Sequence, residues 1–197
     1  MSRITPLPRE ELGELEDVFL RAEKALGFVP NSFFIMARRP GTLKAFSLLS
    51  REVLGVPGQV SPDLKWMVAH VASRSAGCQY CMAHTGDTAA AAAGVAPEKI
   101  EAIFEYERSD LFSAAEKAAL TVAQGAGQVP NMVSDADMDT LKEHFDENQI
   151  VEIVGVICLF GWLNRFNDTM ATDLEQRMLA FGDKHLSKSG WTAGKHV

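Results

Sequence analysis

An all-α fold is the class this sequence predicts, and three observations carry that prediction. Apolar residues recur at three- and four-residue spacing through most of the chain. No stretch alternates with period two, and no Asn-Gly or Asp-Gly hairpin signal lies between apolar runs. Helix-start signatures recur at Ser61-Pro62-Asp63, Ser113-Ala114-Ala115-Glu116 and Ser134-Asp135-Ala136-Asp137.

The elements follow in order. From Glu10 to Leu26, the spacing of Leu12, Leu15, Phe19, Ala22 and Leu26 predicts one helix face, with Gly27 as its stop. Asn31 or Ser32 can cap a short apolar segment, Phe33 to Ala37. Thr42 to Leu54 is a further amphipathic helix through Leu43, Phe46, Leu49 and Val53, closed by Gly55-Val56-Pro57-Gly58. Ser61-Pro62-Asp63 starts a helix running to about Ala76, with a cap, a proline at the first helical position and an acid in the first turn. A helix rich in alanine, ending at Gly94, follows at once. Another starts at Val95-Ala96-Pro97 and turns Ile100, Ile103 and Phe104 inward. Ser113 and Ser134 start the next two. Glu147 to about Leu179 is expected as one long helix, apolar all round through Val156-Ile157-Cys158-Leu159-Phe160 and therefore buried. The runs 61–104 and 113–154 each read helix, turn, helix, a hint of a duplicated helical unit. The expected organisation is a single helical domain over residues 1–181 and a loosely ordered glycine- and lysine-rich tail over 182–197.

The totals exclude several classes. A formal charge of −7 disfavours nucleic-acid and anionic-membrane binding, which use a basic face. The polar start MSRITPLPR has no apolar run of a secretory signal. The longest apolar stretch, Ile153 to Leu163, is shorter than the roughly 20 residues a membrane span needs. Three cysteines make no disulfide scaffold. A cytoplasmic protein is the expectation, and there a Cys-x-x-Cys pair serves catalysis or metal binding.

That pair is Cys78-Gln79-Tyr80-Cys81, followed by His84 and then by Ala89–Ala93. It is expected in the first turn of a helix entered from Gly77, where free N–H groups and the macrodipole stabilise a thiolate. Zinc is one reading, but structural sites bring two ligand pairs, and only His84 and His70 are available to complete the set. Thioredoxin-like chemistry is another, but it needs a βαβ setting. A third is a helical peroxide-reducing site. It needs an accessible thiolate, a partner thiol at i and i+3 on the same face, and a base such as His84 one turn on. The plain alternative makes both cysteines small core residues and His84 a bystander.

The stretch Cys78-Gln79-Tyr80-Cys81-Met82-Ala83-His84 resembles the redox motif of the alkyl hydroperoxidase D / carboxymuconolactone decarboxylase superfamily. The segments Leu26-Gly27-Phe28-Val29-Pro30-Asn31, Val151-Glu152-Ile153-Val154 and Phe160-Gly161-Trp162-Leu163-Asn164-Arg165 resemble its peroxidase-related subgroup, so that the likeness spans roughly residues 22–173. The resemblance implies an all-helical bundle, a homo-oligomer (trimer or hexamer), no bound cofactor or metal, and reduction of hydroperoxides through a dithiol/disulfide cycle recharged by an external dithiol. It implies Cys81 as the attacking thiol, Cys78 as the resolving thiol and His84 in the relay. Helix-end electrostatics taken alone favours Cys78 as the more acidic thiol. Two positions depart from the pattern. Trp66, beside Lys65, stands where redox members carry a glutamate, and Thr85 stands where the relay histidine is common. Asp87 is the nearest acid to His84 by spacing, with a solvated helix residue as its plain reading.

Other residues have a plain reading beside a sharper one. His70 is a core histidine unless its helix packs against the dithiol helix, Cys158 is a packing residue, and Tyr80 either packs or donates a hydrogen bond. Asn164, Arg165, Asn167 and Asp168 are a polar helix end, unless Asn164 and Arg165 frame a pocket mouth or a subunit contact. The rival functions are a non-redox lyase-like or ligand-binding oligomer with idle cysteines, and a protein disulfide reductase or redox sensor.

Overall fold

The computed structural model describes all 197 residues. Sixty-eight per cent of them are helical and none is in a strand. Ten α-helices follow in order: α1 Glu16–Leu26, α2 Asn31–Met36, α3 Pro40–Ser50, α4 Pro62–Ser75, α5 Gln79–Ala91, α6 Pro97–Ala102, α7 Ala114–Ala126, α8 Asp135–Lys142, α9 Glu147–Met170 and α10 Gln176–Phe181.

The hub is α4, which packs chiefly against α5, α7 and α9. Its Met67, Val68, Ala69, Val71 and Ala72 are buried almost completely, and each larger side chain of this kind stabilises the fold by about 1.5–3 kcal/mol. A second apolar cluster unites α1, α2 and α3 through Phe19, Phe33, Leu43 and Phe46. The two clusters meet at α9: Leu159 faces the second, while Ile153, Val156, Ile157 and Phe160 face the first. The cavity described below lies at that junction.

Local signals set most boundaries. Ser113 and Ser134 each complete a capping box, with Glu116 and Asp137, and Asp146 does the same for α9 with Gln149. Gly27 ends α1 in the left-handed conformation at φ 84°, a region open to glycine at little cost.

Several expectations need correction. The first helix does not run from Glu10. Residues 9–11 and 13–15 form separate 3-10 turns around Gly13, and the α-helix starts at Glu16. Neither Asn31 nor Ser32 caps α2: both lie inside it, and Asn31 donates its side-chain amide to Asp173 O, 2.9 Å away. Likewise, α3 ends at Ser50 and the chain continues as a wide turn to Gly55.

The long helix does not reach Leu179. It stops at Met170, where Ala171 takes a left-handed φ of 49° and the Thr172 N–H and hydroxyl bond back to the Asn167 carbonyl and side-chain oxygens. No glycine or proline marks this break. Nor is α9 buried all round. By length and hydropathy it is apolar enough to cross a bilayer, yet one face is packed in the core. The other face shows Val151 (71% exposed), Val154, Trp162 (39% exposed) and Cys158, which is therefore a surface thiol and not a packing residue.

Residues 182–197 pack firmly where a loose tail was expected. Trp191 is buried over Gly182 and donates its indole N–H to Gln79 O at 2.9 Å. His196 is fully buried, and its carbonyl accepts the Leu174 N–H at 2.9 Å. Leu186 and Trp191 supply the apolar area that the segment's glycines and lysines do not.

Candidate active site: a buried dithiol beside a His–Glu pair

Gly77 at φ 73° turns the chain from α4 into α5. Cys78 is the N-cap of α5, and its sulfur accepts the Cys81 backbone N–H at 3.4 Å. The pair therefore occupies the helix start, as expected. Cys78 is 0% exposed and Cys81 2%. Cys81 lines a cavity of about 330 Å³, whereas Cys78 lies behind it and outside the lining. The cavity wall is mostly apolar, with Leu26, Phe33, Leu54, Trp66, Phe160 and Leu163, and its polar groups include Ser32, Asn167 and His84.

The environment of Cys81 raises its pKa. Burial and the adjacent Cys78 sulfur push the thiol well above its ordinary range, and the hydrogen bond from Asn167 Nδ2 (3.6 Å) opposes them. A base is therefore needed to ionise it. His84, one turn along α5, lines the same cavity wall. Its Nε2 lies 2.7 Å from Glu175 Oε2. A carboxylate can only accept, so Nε2 carries a proton, and whenever the ring is neutral the lone pair lies on Nδ1. Burial alone would raise the Glu175 carboxyl. The charge and hydrogen bond of His84, with the Asn31 amide, outweigh it and hold the group below the ordinary carboxylate range.

Tyr80 completes this cluster. Its ring stacks on His84 at 4.3 Å between centroids, and its hydroxyl donates to Glu175 Oε1 at 3.2 Å while accepting the Ser32 N–H at 3.4 Å. Burial and the Glu175 charge raise its pKa well above the usual phenol value, so Tyr80 remains a donor.

The structure brings together Cys78, Cys81 and His84, and adds two residues that sequence spacing missed. Glu175 precedes α10, in a stretch expected as uninterrupted helix, so nothing in the sequence aims it at α5. By sequence alone Asn167 belongs only to a polar helix end. It reaches Cys81, whereas Asn164 and Arg165 do not line the cavity. Asp87 is not the acid for His84: it pairs with Arg177 at 2.7 Å. His70 is directed elsewhere, with Nδ1 2.8 Å from Thr85 Oγ1 and its ring stacked on Phe104. Burial, and secondarily the Arg74 charge, lower its pKa to about 3. The four-ligand zinc set of Cys78, Cys81, His84 and His70 is thus not assembled. Lys65 is buried against Glu152 at 3.0 Å, and Trp66 meets Phe160 edge-on in the cavity wall.

Residues 40–125 match the model of the carboxymuconolactone decarboxylase family. Over 92% of this chain and 96% of the other, the fold superposes on the debrominase Bmp8 with a TM-score of 0.86 and 33% identity. The chain belongs to the carboxymuconolactone decarboxylase family. It shares its fold with an alkylhydroperoxidase D core, a peroxidase-related protein from Ralstonia eutropha JMP134 (TM-score 0.79, 23% identity, 90% of this chain and 94% of that one). A complex of a Bmp8 cysteine-to-alanine variant with 2,3,4-tribromopyrrole superposes equally well, at 32% identity, a TM-score of 0.87 and coverage of 93% and 99%. Among curated relatives, the uncharacterized protein YnjA of Escherichia coli (strain K12) is 30% identical over 111 residues, 56% of this chain and 60% of YnjA. YdfG of Bacillus subtilis (strain 168), also uncharacterized, is 31% identical over 100 residues, 50% of this chain and 67% of YdfG. The match thus spans less than two thirds of YnjA and about two thirds of YdfG.

Proposed function

We propose that this family member is a thiol-dependent oxidoreductase that reduces a small organic hydroperoxide inside the apolar cavity. The observation that carries the reading is the order of the groups: Cys81 in the cavity wall beside His84, with Cys78 directly behind it. His84 takes the Cys81 proton through its free Nδ1, and Glu175 holds the imidazolium. The Cys81 thiolate attacks the terminal peroxide oxygen. The O–O bond breaks, alcohol leaves with a proton, and Cys81 becomes a sulfenic acid. Cys78 displaces hydroxide from it to form the disulfide, and an external dithiol reopens the bond by exchange.

The likeness to a debrominase at 33% identity favours a second reading by the same sulfurs. A halogenated aromatic would give its halogen to Cys81 and take a proton at carbon. Cys78 would then expel halide, so that the net reaction consumes two thiols and yields the dehalogenated product, a disulfide and hydrogen halide. Burial of both sulfurs weighs against a protein disulfide as substrate.

The test compares turnover of wild type, Cys81→Ser and Cys78→Ser, with a small dithiol present, on cumene hydroperoxide and on a polybrominated pyrrole. The reading expects cysteine-dependent loss of the hydroperoxide. Loss of bromide alone moves the assignment to the second reading. Equal background rates for all three proteins on both substrates overturn both, leaving a non-redox member of the family.

A further inference from the structure

We propose that His196 is the base that deprotonates Cys78 when the disulfide closes. The proposal rests on the dithiol cycle above and assigns a second proton acceptor to it, distinct from the His84–Glu175 pair.

The geometry begins with the packing of residues 190–197. Trp191 is pinned by its bond to Gln79 O, the His196 N–H donates to Ala193 O at 3.0 Å, and the His196 carbonyl accepts the Leu174 N–H. The imidazole is thereby held against the start of α5. Its Nδ1 lies 2.8 Å from Thr172 O. A carbonyl only accepts, so Nδ1 carries the proton and Nε2 presents a lone pair. That Nε2 is buried and has no hydrogen-bond partner, a costly arrangement unless the nitrogen is used. Cys78 Sγ, an Asp168 carboxylate oxygen and a His196 ring nitrogen all lie within 4.8 Å of one another, with Nε2 3.8 Å from Asp168 Oδ1.

The groups facing His196 are Asp168 from α9, Cys78 and Tyr80 from α5, Asp173 from the turn after α9, and its neighbour Lys195. Burial lowers the His196 pKa more than the Thr172 carbonyl and the two aspartates raise it. The ring is therefore neutral near pH 7 and free to accept a proton. In the closing step Nε2 takes the Cys78 proton, and the Cys78 lone pair attacks Cys81 Sγ. The S–S bond forms as the S–O bond breaks. The departing hydroxide recovers the proton from the imidazolium and leaves as water. Asp168 stabilises the transient cation.

Ellman's reagent isolates this step without peroxide. With the exposed third thiol removed by Cys158→Ser in every protein compared, the reduced full chain first releases one thionitrobenzoate as Cys81 forms a mixed disulfide, at a rate proportional to reagent. It then releases a second, at a rate independent of reagent, as Cys78 attacks. The second phase is followed across roughly pH 5 to 9 for wild type, His196→Gln, Asp168→Asn, and His196→Ala with and without imidazole. We expect His196→Gln to slow it at neutral pH by about 10²-fold, with the gap narrowing as hydroxide ionises the thiol at high pH. Asp168→Asn should produce a smaller loss, and imidazole should restore His196→Ala. Second phases that coincide with wild type overturn the proposal. So does a loss that is equal at every pH and not restored by imidazole, which marks a purely structural role. The two readings fail separately. A second-phase defect in a protein without hydroperoxide turnover keeps His196 as the base and removes the peroxide substrate. Normal closure in a protein with turnover does the reverse.

Discussion

Glu175 Oε2 and His84 Nε2 stand 2.7 Å apart although 91 residues separate them in the chain. The carboxylate arrives only because α9 breaks at Ala171 and the chain turns back toward α5. Glu175→Gln keeps the size and one acceptor oxygen but removes the charge that supports an imidazolium. We expect turnover to fall by about 10²-fold, the usual worth of a positioned acid–base group. Stopped-flow turnover, with circular dichroism to confirm folding, measures it; an unchanged rate would remove Glu175 from the relay.

Placement of Glu175 also depends on Gly86. A Cβ there would stand 2.7 Å from Phe181 Cε1 and 3.1 Å from His70 Cε1, so this glycine permits α10 to dock on α5. Gly86→Ala should cost about 1–3 kcal/mol through overpacking. It should also displace α10 enough to lower turnover, whereas Gly94→Ala, where a Cβ meets nothing within 4 Å, should cost only its backbone strain. Chemical denaturation of the two variants compares the effects.

His70 predicts an acid-labile fold. Its pKa lies near 3 in the folded protein and about 6.5 in an unfolded chain. Between those values the unfolded state binds more protons, so its contribution to stability falls as pH drops below about 6.5, by up to roughly 1.4 kcal/mol per pH unit. The contribution is complete above that range. His70→Gln should flatten the decline of melting temperature between about pH 6 and 4 relative to wild type; superimposable curves would contradict the assignment.

Asp87 separates proximity in sequence from proximity in space. It is the nearest acid to His84 along α5, yet it pairs with the half-exposed Arg177 at 2.7 Å. Asp87 is itself buried, so Asp87→Asn should cost about 1.5–3 kcal/mol of stability and leave turnover within twofold. A loss comparable to that of Glu175→Gln would reverse the roles of the two acids.

The all-α class, the helix starting at Ser61, the capping boxes at Ser113 and Ser134, and the position of the cysteines were legible because each depends on a few adjacent residues. The Gly77 turn and the apolar periodicity of α4 are local signals of the same kind. The end of α9 was not legible, because Ala171 adopts a left-handed conformation that its side chain does not advertise. Everything that depends on this break was hidden with it: the acid opposite His84, the separate α10, and the burial of Trp191 and His196. The outward face of α9 misled for a different reason. An apolar helix reads as buried whether or not its own chain covers it, and here Val151 and Trp162 are left uncovered.

Both sulfurs are sealed from solvent, and Cys81 lines the apolar cavity. In the proposed cycle, the oxidant and whatever recharges the disulfide must enter by the same door. This imposes a size limit on the electron donor and makes it a competitor of the oxidant. Initial rates should follow parallel-line, ping-pong kinetics and then decline at high concentrations of either reactant. A small dithiol should support turnover well, and a folded dithiol protein poorly, so access, more than redox potential, would decide which donor serves this enzyme.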